Sequence, residues 1–165
     1  MDLVTYPDPA LLKKTRPVET FDDELKARIA EMSQIMHESQ GVGLAAPQVG
    51  WSVKLLILNP GDDPADDEAL INPVIKKRRG RVMGEEGCLS FPGIFVAVER
   101  AKEVDIEFQD VNGDVHVETR SDFVARIVQH EIDHLENILL VHRMSPADRV
   151  RVKRDLQDLS ERRGR

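Results

Sequence analysis

The sequence predicts an α+β fold: a single domain over residues 1–165 in which antiparallel β-sheets surround a central helix carrying His130-Glu131-Ile132-Asp133-His134, with further helices toward the N- and C-terminal ends. Three observations lead there. Apolar residues recur at helical spacing in two stretches, 25–36 and 124–135. The region between is filled by short β-branched runs and an Asn112-Gly113 pair. A chain of 165 residues is also long enough to bury about two-thirds of its unfolded surface around one core.

Taken in order, Thr20 with Asp23 three residues later resembles a capping box, and Leu25, Ile29, Met32 and Met36 then repeat until Gly41, giving a first helix of about four turns. β-like runs follow at Val53 to Leu58, Leu70 to Ile75 and Ile94 to Val98, with alternation at Val104, Ile106 and Phe108. Gly61 to Glu68 reads as a charged loop, while Asn112-Gly113, both tolerant of positive φ, turn the chain back into Val115 and Val117. From Asp122, the residues Val124, Ile127, Val128, Ile132 and Leu135 form a broad apolar face, the mark of a central buried helix. The segment 145–165 is predicted to be a basic amphipathic helix with Ser145 as N-cap, Pro146 at the first helical position and Val152, Leu156 and Leu159 as its stripe.

Composition excludes several classes. Hydrophobic content of 41% against 32% charge fits a soluble globular protein, and no apolar run approaches the roughly 20 residues of a membrane helix. The stretch Met1 to Ala10 has neither a signal-peptide nor a transit-peptide pattern, so a cytoplasmic protein is expected. The single cysteine, Cys88, forms no internal disulfide and fits a reducing compartment. Net charge is −7, yet residues 149–165 carry seven Lys/Arg against three Asp/Glu, so that segment has the opposite sign from the rest.

The chemistry is concentrated in the second helix. At about 100° per residue, His130 and His134 lie roughly 40° apart and Glu131 about 60° further round, so two imidazoles can share one ion while the carboxylate reaches the water beside it. Ile127 falls in the same arc, which turns this face toward the core, where an uncompensated histidine pair would be costly. A catalytic site needs a third protein ligand. Asn137 and Leu140 stand where one extended pattern would need glycine and histidine, Glu136 is too close to His134, and Glu161 lies in the charged C-terminal segment. Cys88 is left as a candidate, with an inert core thiol as the other reading of the same residue.

Three segments together, Gly41-Val42-Gly43-Leu44-Ala45-Ala46-Pro47-Gln48, Glu86-Gly87-Cys88-Leu89-Ser90 and His130 to His134, resemble the signature motifs of the peptide deformylase family in order and approximate spacing. The resemblance implies hydrolysis of the formyl group from N-formylmethionyl nascent polypeptides, with release of formate. It implies metal ligation by Cys88, His130 and His134, acid/base work by Glu131, and oxyanion donors at the Gln48 side chain and the Leu89 backbone N–H. Gly43 and Gly87 are then expected to pair with an extended substrate, and Val42, Phe123 and Ile127 to hold its methionine side chain. A Cys/His/His set suits zinc, nickel, cobalt or iron(II), and the resemblance favours one iron(II) ion, Fe2+, with the others as substitutes. The chain departs from the family pattern at Asp122 and Asn137, where many members have glycine, and at Phe95, where some have a basic residue.

Two other functions fit parts of the sequence: an HExxH zinc peptidase, and a non-enzymatic structural-metal module that binds RNA. The first lacks its usual third ligand, and the second leaves Gln48 and Glu131 without a purpose. The basic C-terminal helix adds the ribosome as an expected partner through Arg149, Arg151, Lys153 and Arg154, the alternative being a solvated helix with no partner.

Overall fold

The computed structural model describes residues 1–163, so the last two residues of the 145–165 segment lie outside it. Helix α1 spans Asp23–Glu38, and its N-cap is Asp22 rather than the expected Thr20: the Asp22 carboxylate accepts from Leu25 N at 2.9 Å. With Asp23 and Glu24 in the first turn, acidic groups meet the positive end of the helix dipole. At the other end Gln40, with φ of 57°, takes the left-handed position, and Gly41 N donates to Met36 O. Gly41 is needed small for a different reason, because a Cβ there would lie 2.6 Å from Leu89 Cδ1.

Strands β1 (Gly43–Ala45), β2 (Leu55–Leu58), β3 (Glu68–Arg79), β6 (Glu103–Gln109) and β7 (Val115–Ser121) form one antiparallel sheet in the order β1-β2-β3-β6-β7; β4 (Val82–Cys88) and β5 (Phe91–Arg100) form a second, two-stranded sheet. β2 is buried at all four residues because the large sheet is covered on both faces. Leu55 and Ile57 pack with Leu25, Met32 and Met36 of α1. Leu56 and Leu58 pack with Val104, Ile106 and Phe108 and with helix α2 (Asp122–Leu135). The expected strands are all present, several of them longer than their apolar runs, though Val53 contributes only an isolated bridge to Arg16. β4 is a strand that none of the β-like runs in the sequence marks. Its residues pair with β5 through the backbone while burying almost no apolar side chain, so no alternation marks it.

The second sheet packs the buried side of β5 (Ile94, Val96, Val98) against Leu11, Leu140 and the C-terminal region. That region contains α3 (Leu140–Arg143), α4 (Pro146–Arg151) and α5 (Lys153–Arg163) instead of one helix. A single-residue turn at Val152 separates α4 from α5, although Val152 N→Asp148 O and Leu156 N→Val152 O keep the helical path across it. Ser145 caps α4 as expected, accepting from Asp148 N at 3.1 Å. Val152 and Leu159 are buried, so the stripe is docked on the body.

Helix α2 enters and leaves through residues in the left-handed region. Asp122, where many family members have glycine, has φ of 55° as the first helical residue; Ser121 holds the cap position without a side-chain cap bond. Beyond the helix, Asn137 has φ of 58°, and its Nδ2 donates to Leu11 O at 3.2 Å and Lys13 O at 2.9 Å. Asparagine thus does what glycine would do for the backbone and also ties the N-terminal segment to the end of the metal helix. Asn137→Gly should cost only the hydrogen bonds, about 1–2 kcal/mol, whereas Asn137→Ala adds the left-handed penalty and should cost about 1–2 kcal/mol more. Urea unfolding of the two variants checks that order.

Candidate metal centre

Three elements deliver the polar side chains of the site. α2 is buried from Ile127 to Leu135 and presents His130 and His134 on one face. β4 ends at Cys88, and the two-residue turn Leu89-Ser90 follows. A short 3-10 turn, Ala46–Val49, brings in Gln48. The ligand atoms of Cys88, His130 and His134 lie within 4.8 Å of one another, and no other such group occurs among the described residues. Cys88 Sγ is 3.3 Å from His134 Nε2, near the roughly 3.5 Å edge of a tetrahedron with metal–sulfur and metal–nitrogen bonds of about 2.3 and 2.0 Å.

The surroundings suit a cation. Burial favours neutral imidazoles, and it pushes His134 well below the usual histidine range. Burial acts the same way on His130, but Cys88 and Glu86 outweigh it and hold that ring's pKa far up, a proton supplying the positive charge that these two groups attract. Glu131 Oε2 and His134 Nδ1 are buried side-chain atoms without a hydrogen-bond partner among the described residues. Such orphans are costly unless something polar meets them. Burial, first of all, raises the Glu131 carboxyl to about 7, in the range that suits a group passing a proton near neutral pH.

Gln48 is held in one orientation. Its Oε1 accepts from Ala45 N at 2.9 Å, so its Nε2 points toward Ser90 Oγ at 3.1 Å and Cys88 Sγ at 3.5 Å. Ser90 Oγ–H donates to Val4 O at 2.8 Å, and Val4 N donates to Gln48 O. Gly43 is tied to the site sterically: a Cβ there would meet Ile127 Cγ2 at 2.8 Å and Glu131 Cγ at 3.0 Å. Val42, Gly43, Gly87, Cys88, Leu89, Phe123, Ile127, His130 and Glu131 all line one cleft of about 430 Å³. Every site residue expected from the sequence is therefore in or beside one place, with Ile127 buried and Phe123 exposed on the rim.

What the sequence reading missed stands behind the ligands. His130 Nδ1 is 2.9 Å from Glu86 Oε1, which leaves Nε2 on the side of the other ligands. Glu86 is bound through two hydrogen bonds to Arg100, at 2.8 and 2.9 Å, and again by Arg126 at 2.6 Å. Arg100 continues to Asp133 at 2.6 Å, and Asp133 to Arg143. Burial alone would raise Glu86, but Arg100 and His130 bring it down to about 2. The available signal was local: Glu86 lies two residues before Cys88 in a strand, and Asp133 is inside the HExxH run.

Two buried histidines and a half-buried cysteine that could hold a metal ion, with a carboxylate and an oriented amide beside them, fit a metal-dependent hydrolase. The family model for polypeptide deformylase matches residues 1–150. A peptide deformylase of Thermotoga sp. (strain RQ2) is 42% identical over 156 residues, covering 94% of this chain and 93% of that protein. The structure of the Plasmodium falciparum peptide deformylase superposes with a TM-score of 0.94 at 38% identity, covering 97% of this chain and 95% of the other; Arabidopsis thaliana peptide deformylase 1B gives 0.93 at 39% identity, covering 98% and 91%. The chain belongs to the polypeptide deformylase family, metal-dependent enzymes that remove the N-formyl group from nascent polypeptides.

The ion network yields a stability prediction. Arg100→Met leaves Glu86 and Asp133 buried without their shared cation, and unfolding free energy should fall by about 3–5 kcal/mol. Denaturant titration measures it; a loss below 1 kcal/mol would mean that Arg126 and Arg143 suffice.

Proposed function

We propose that this chain deformylates N-formylmethionyl peptides with Cys88, His130 and His134 as the ligands of one iron(II) ion, Glu131 as proton carrier, and Gln48 with the Leu89 N–H as oxyanion donors. The observation that carries the assignment is the orphaned, buried Glu131 Oε2 beside the three-residue ligand cluster. A bound ion supplies Lewis acidity that makes hydroxide available near neutral pH. Hydrolysis adds water across the formyl C–N bond. Glu131 takes one proton from that water and delivers it to the leaving amine, so formate and a free methionine N-terminus result. Gln48 Nε2, fixed by Ala45 N, can meet the developing negative oxygen without bringing a charge of its own.

The cleft also accounts for substrate binding. β1 is an edge strand of the large sheet and β4 one strand of the small one, and residues of both line the cleft. An extended peptide laid between them pairs with their backbones, while Val42, Phe123 and Ile127 receive its methionine side chain. Beyond methionine the substrate meets the Phe95 ring, which lies over Gly87 so closely that a Cβ on Gly87 would be 2.6 Å from it. Among the described residues no helix is long and apolar enough to cross a membrane, and the substrate class fits the cytoplasm, where translation takes place. Ribosome docking through the C-terminal segment is the further partner we infer. Arg149 is engaged with Val141 O and Arg151 with Phe95 O and Asp148, so Lys153 and Arg154 carry it.

The wild-type protein should release formate from a formylmethionyl peptide, lose that activity to a chelator, and leave the unformylated peptide intact. Glu131→Gln should keep its metal and lose nearly all turnover; cleavage of the unformylated peptide, or an active Glu131→Gln with full metal, overturns the assignment. Gln48→Leu should lower kcat by about 10²- to 10³-fold at unchanged metal content. A raised KM with kcat preserved would make Gln48 a substrate-positioning group only.

A further inference from the structure

A second cleft, of about 730 Å³, is distinct from the one beside Cys88, His130 and Glu131. It opens beside the C-terminal half of α2, between the end of β3 and the connection from β5 to β6, and Arg78, Arg81, Arg100 and Arg143 contribute to its wall. The sequence there is Lys76-Lys77-Arg78-Arg79-Gly80-Arg81, six residues with five cations in a chain whose net charge is −7.

The cations divide by face. Arg79 binds Asp105 at 2.6 and 2.8 Å as well as Glu103, Lys76 pairs with Glu107 at 3.5 Å, and Lys77 stands in register with Asp105; these neutralise one another along the sheet. Arg78 is in register with Val104, which belongs to the core under α2, so it sits on the helix side, where the cleft is. Gly80, with φ of 72°, turns the chain so that Arg81 joins the same wall. Both arginines are exposed, and neither has a hydrogen-bond or ion-pair partner among the described residues. Arg143 reaches in from α3 and is half exposed, using part of its guanidinium on Asp133. Acid is also present. Glu99 and Glu136 line the cleft, with Glu136 turned toward Lys54 at 3.9 Å, and Asp133 is already saturated by Arg100 and Arg143.

We propose that this cleft and the β3–β4 turn bind the phosphate backbone of RNA through Arg78, Arg81 and Arg143. Planar guanidiniums with free N–H groups on a concave wall are suited to phosphate, and a row of them at a strand end follows a chain of phosphates better than a single anion. Unpaired arginines gathered in the wall of one cleft repel one another, and an anion bound there relieves that repulsion. That the RNA is ribosomal rests on the deformylase reading; the binding surface itself does not.

The experiment measures anisotropy of a short labelled single-stranded RNA with the full chain at two salt concentrations, beside Arg78→Gln/Arg81→Gln and Lys153→Gln/Arg154→Gln double variants. Formate release from a short formyl peptide is measured on each. Wild type should bind with a steep salt dependence. The Arg78/Arg81 variant should bind about tenfold or more weakly, with the log–log salt slope reduced by about 1.4, and should keep its peptide activity. Equal binding by that variant, loss only in the Lys153/Arg154 variant, or no binding by wild type at low salt overturns the proposal. So does binding of inorganic phosphate or polyglutamate in place of RNA. Failure of the deformylase reading would appear separately, as no formate release by any form.

Discussion

From Ile127 to Leu135 helix α2 has no exposed residue, yet five of its nine side chains there are polar, and each must find a partner inside the protein or remain a large cost. A metal centre that excludes bulk water needs such a helix, and the helix in turn dictates what packs around it. Gln129 is satisfied by the backbone of Ala101, Asp133 by Arg100 and Arg143, and His130 by Glu86. The second sheet brings most of these partners: β4 carries Glu86 and Cys88, and β5 ends on Arg100. Strands that bury few apolar side chains on β4 are held in place by what they do for the helix.

Two buried polar side-chain atoms remain unmatched among the described residues, Glu131 Oε2 and His134 Nδ1. His130 is fixed from behind by Glu86, which leaves its Nε2 on the side of the other ligand atoms, and Glu131, whose Oε2 has no donor to accept from among the described residues, lines the cleft. A network that satisfied every atom would have no affinity left for an ion or a water molecule. Saturation behind His130 and deficiency at Glu131 are one arrangement, because the first removes rotational freedom and the second leaves a defined task for what binds.

The helices and the large sheet were legible because their signals are local: 3.6-residue periodicity in α1 and α2, alternation in β6, and an Asn-Gly turn before β7. The site residues were legible because three short motifs resemble a known family. The ion network was not, since its links join Glu86 to His130, 44 positions away, and Arg100 to Asp133, 33 positions away. In sequence a lone glutamate or arginine reads as surface. β4 escaped for a related reason, its stability coming from backbone pairing and one buried charge cluster. The break at Val152 left no mark either, because the hydrophobic stripe passes through it unchanged.

Glycine placement sets how closely the segments around the cleft approach one another. Gly41, Gly43 and Gly87 could each be read as a turn residue, but the contacts a Cβ would make are with Leu89, with Ile127 and Glu131, and with Phe95. In two of these cases the neighbour belongs to the other side of the site. The loop and strand around Gly43 therefore approach α2 and the Leu89-Ser90 turn as closely as backbone allows, which sets the floor of the cleft beside Glu131 and leaves β1 and β4 as its two walls. A bulkier residue at position 43 would push the strand from the helix and move Glu131 relative to Cys88, His130 and His134, so on the proposed function its cost would fall on turnover before it fell on the fold. The motif's small residues thus set the geometry around Glu131 even though they carry no functional group.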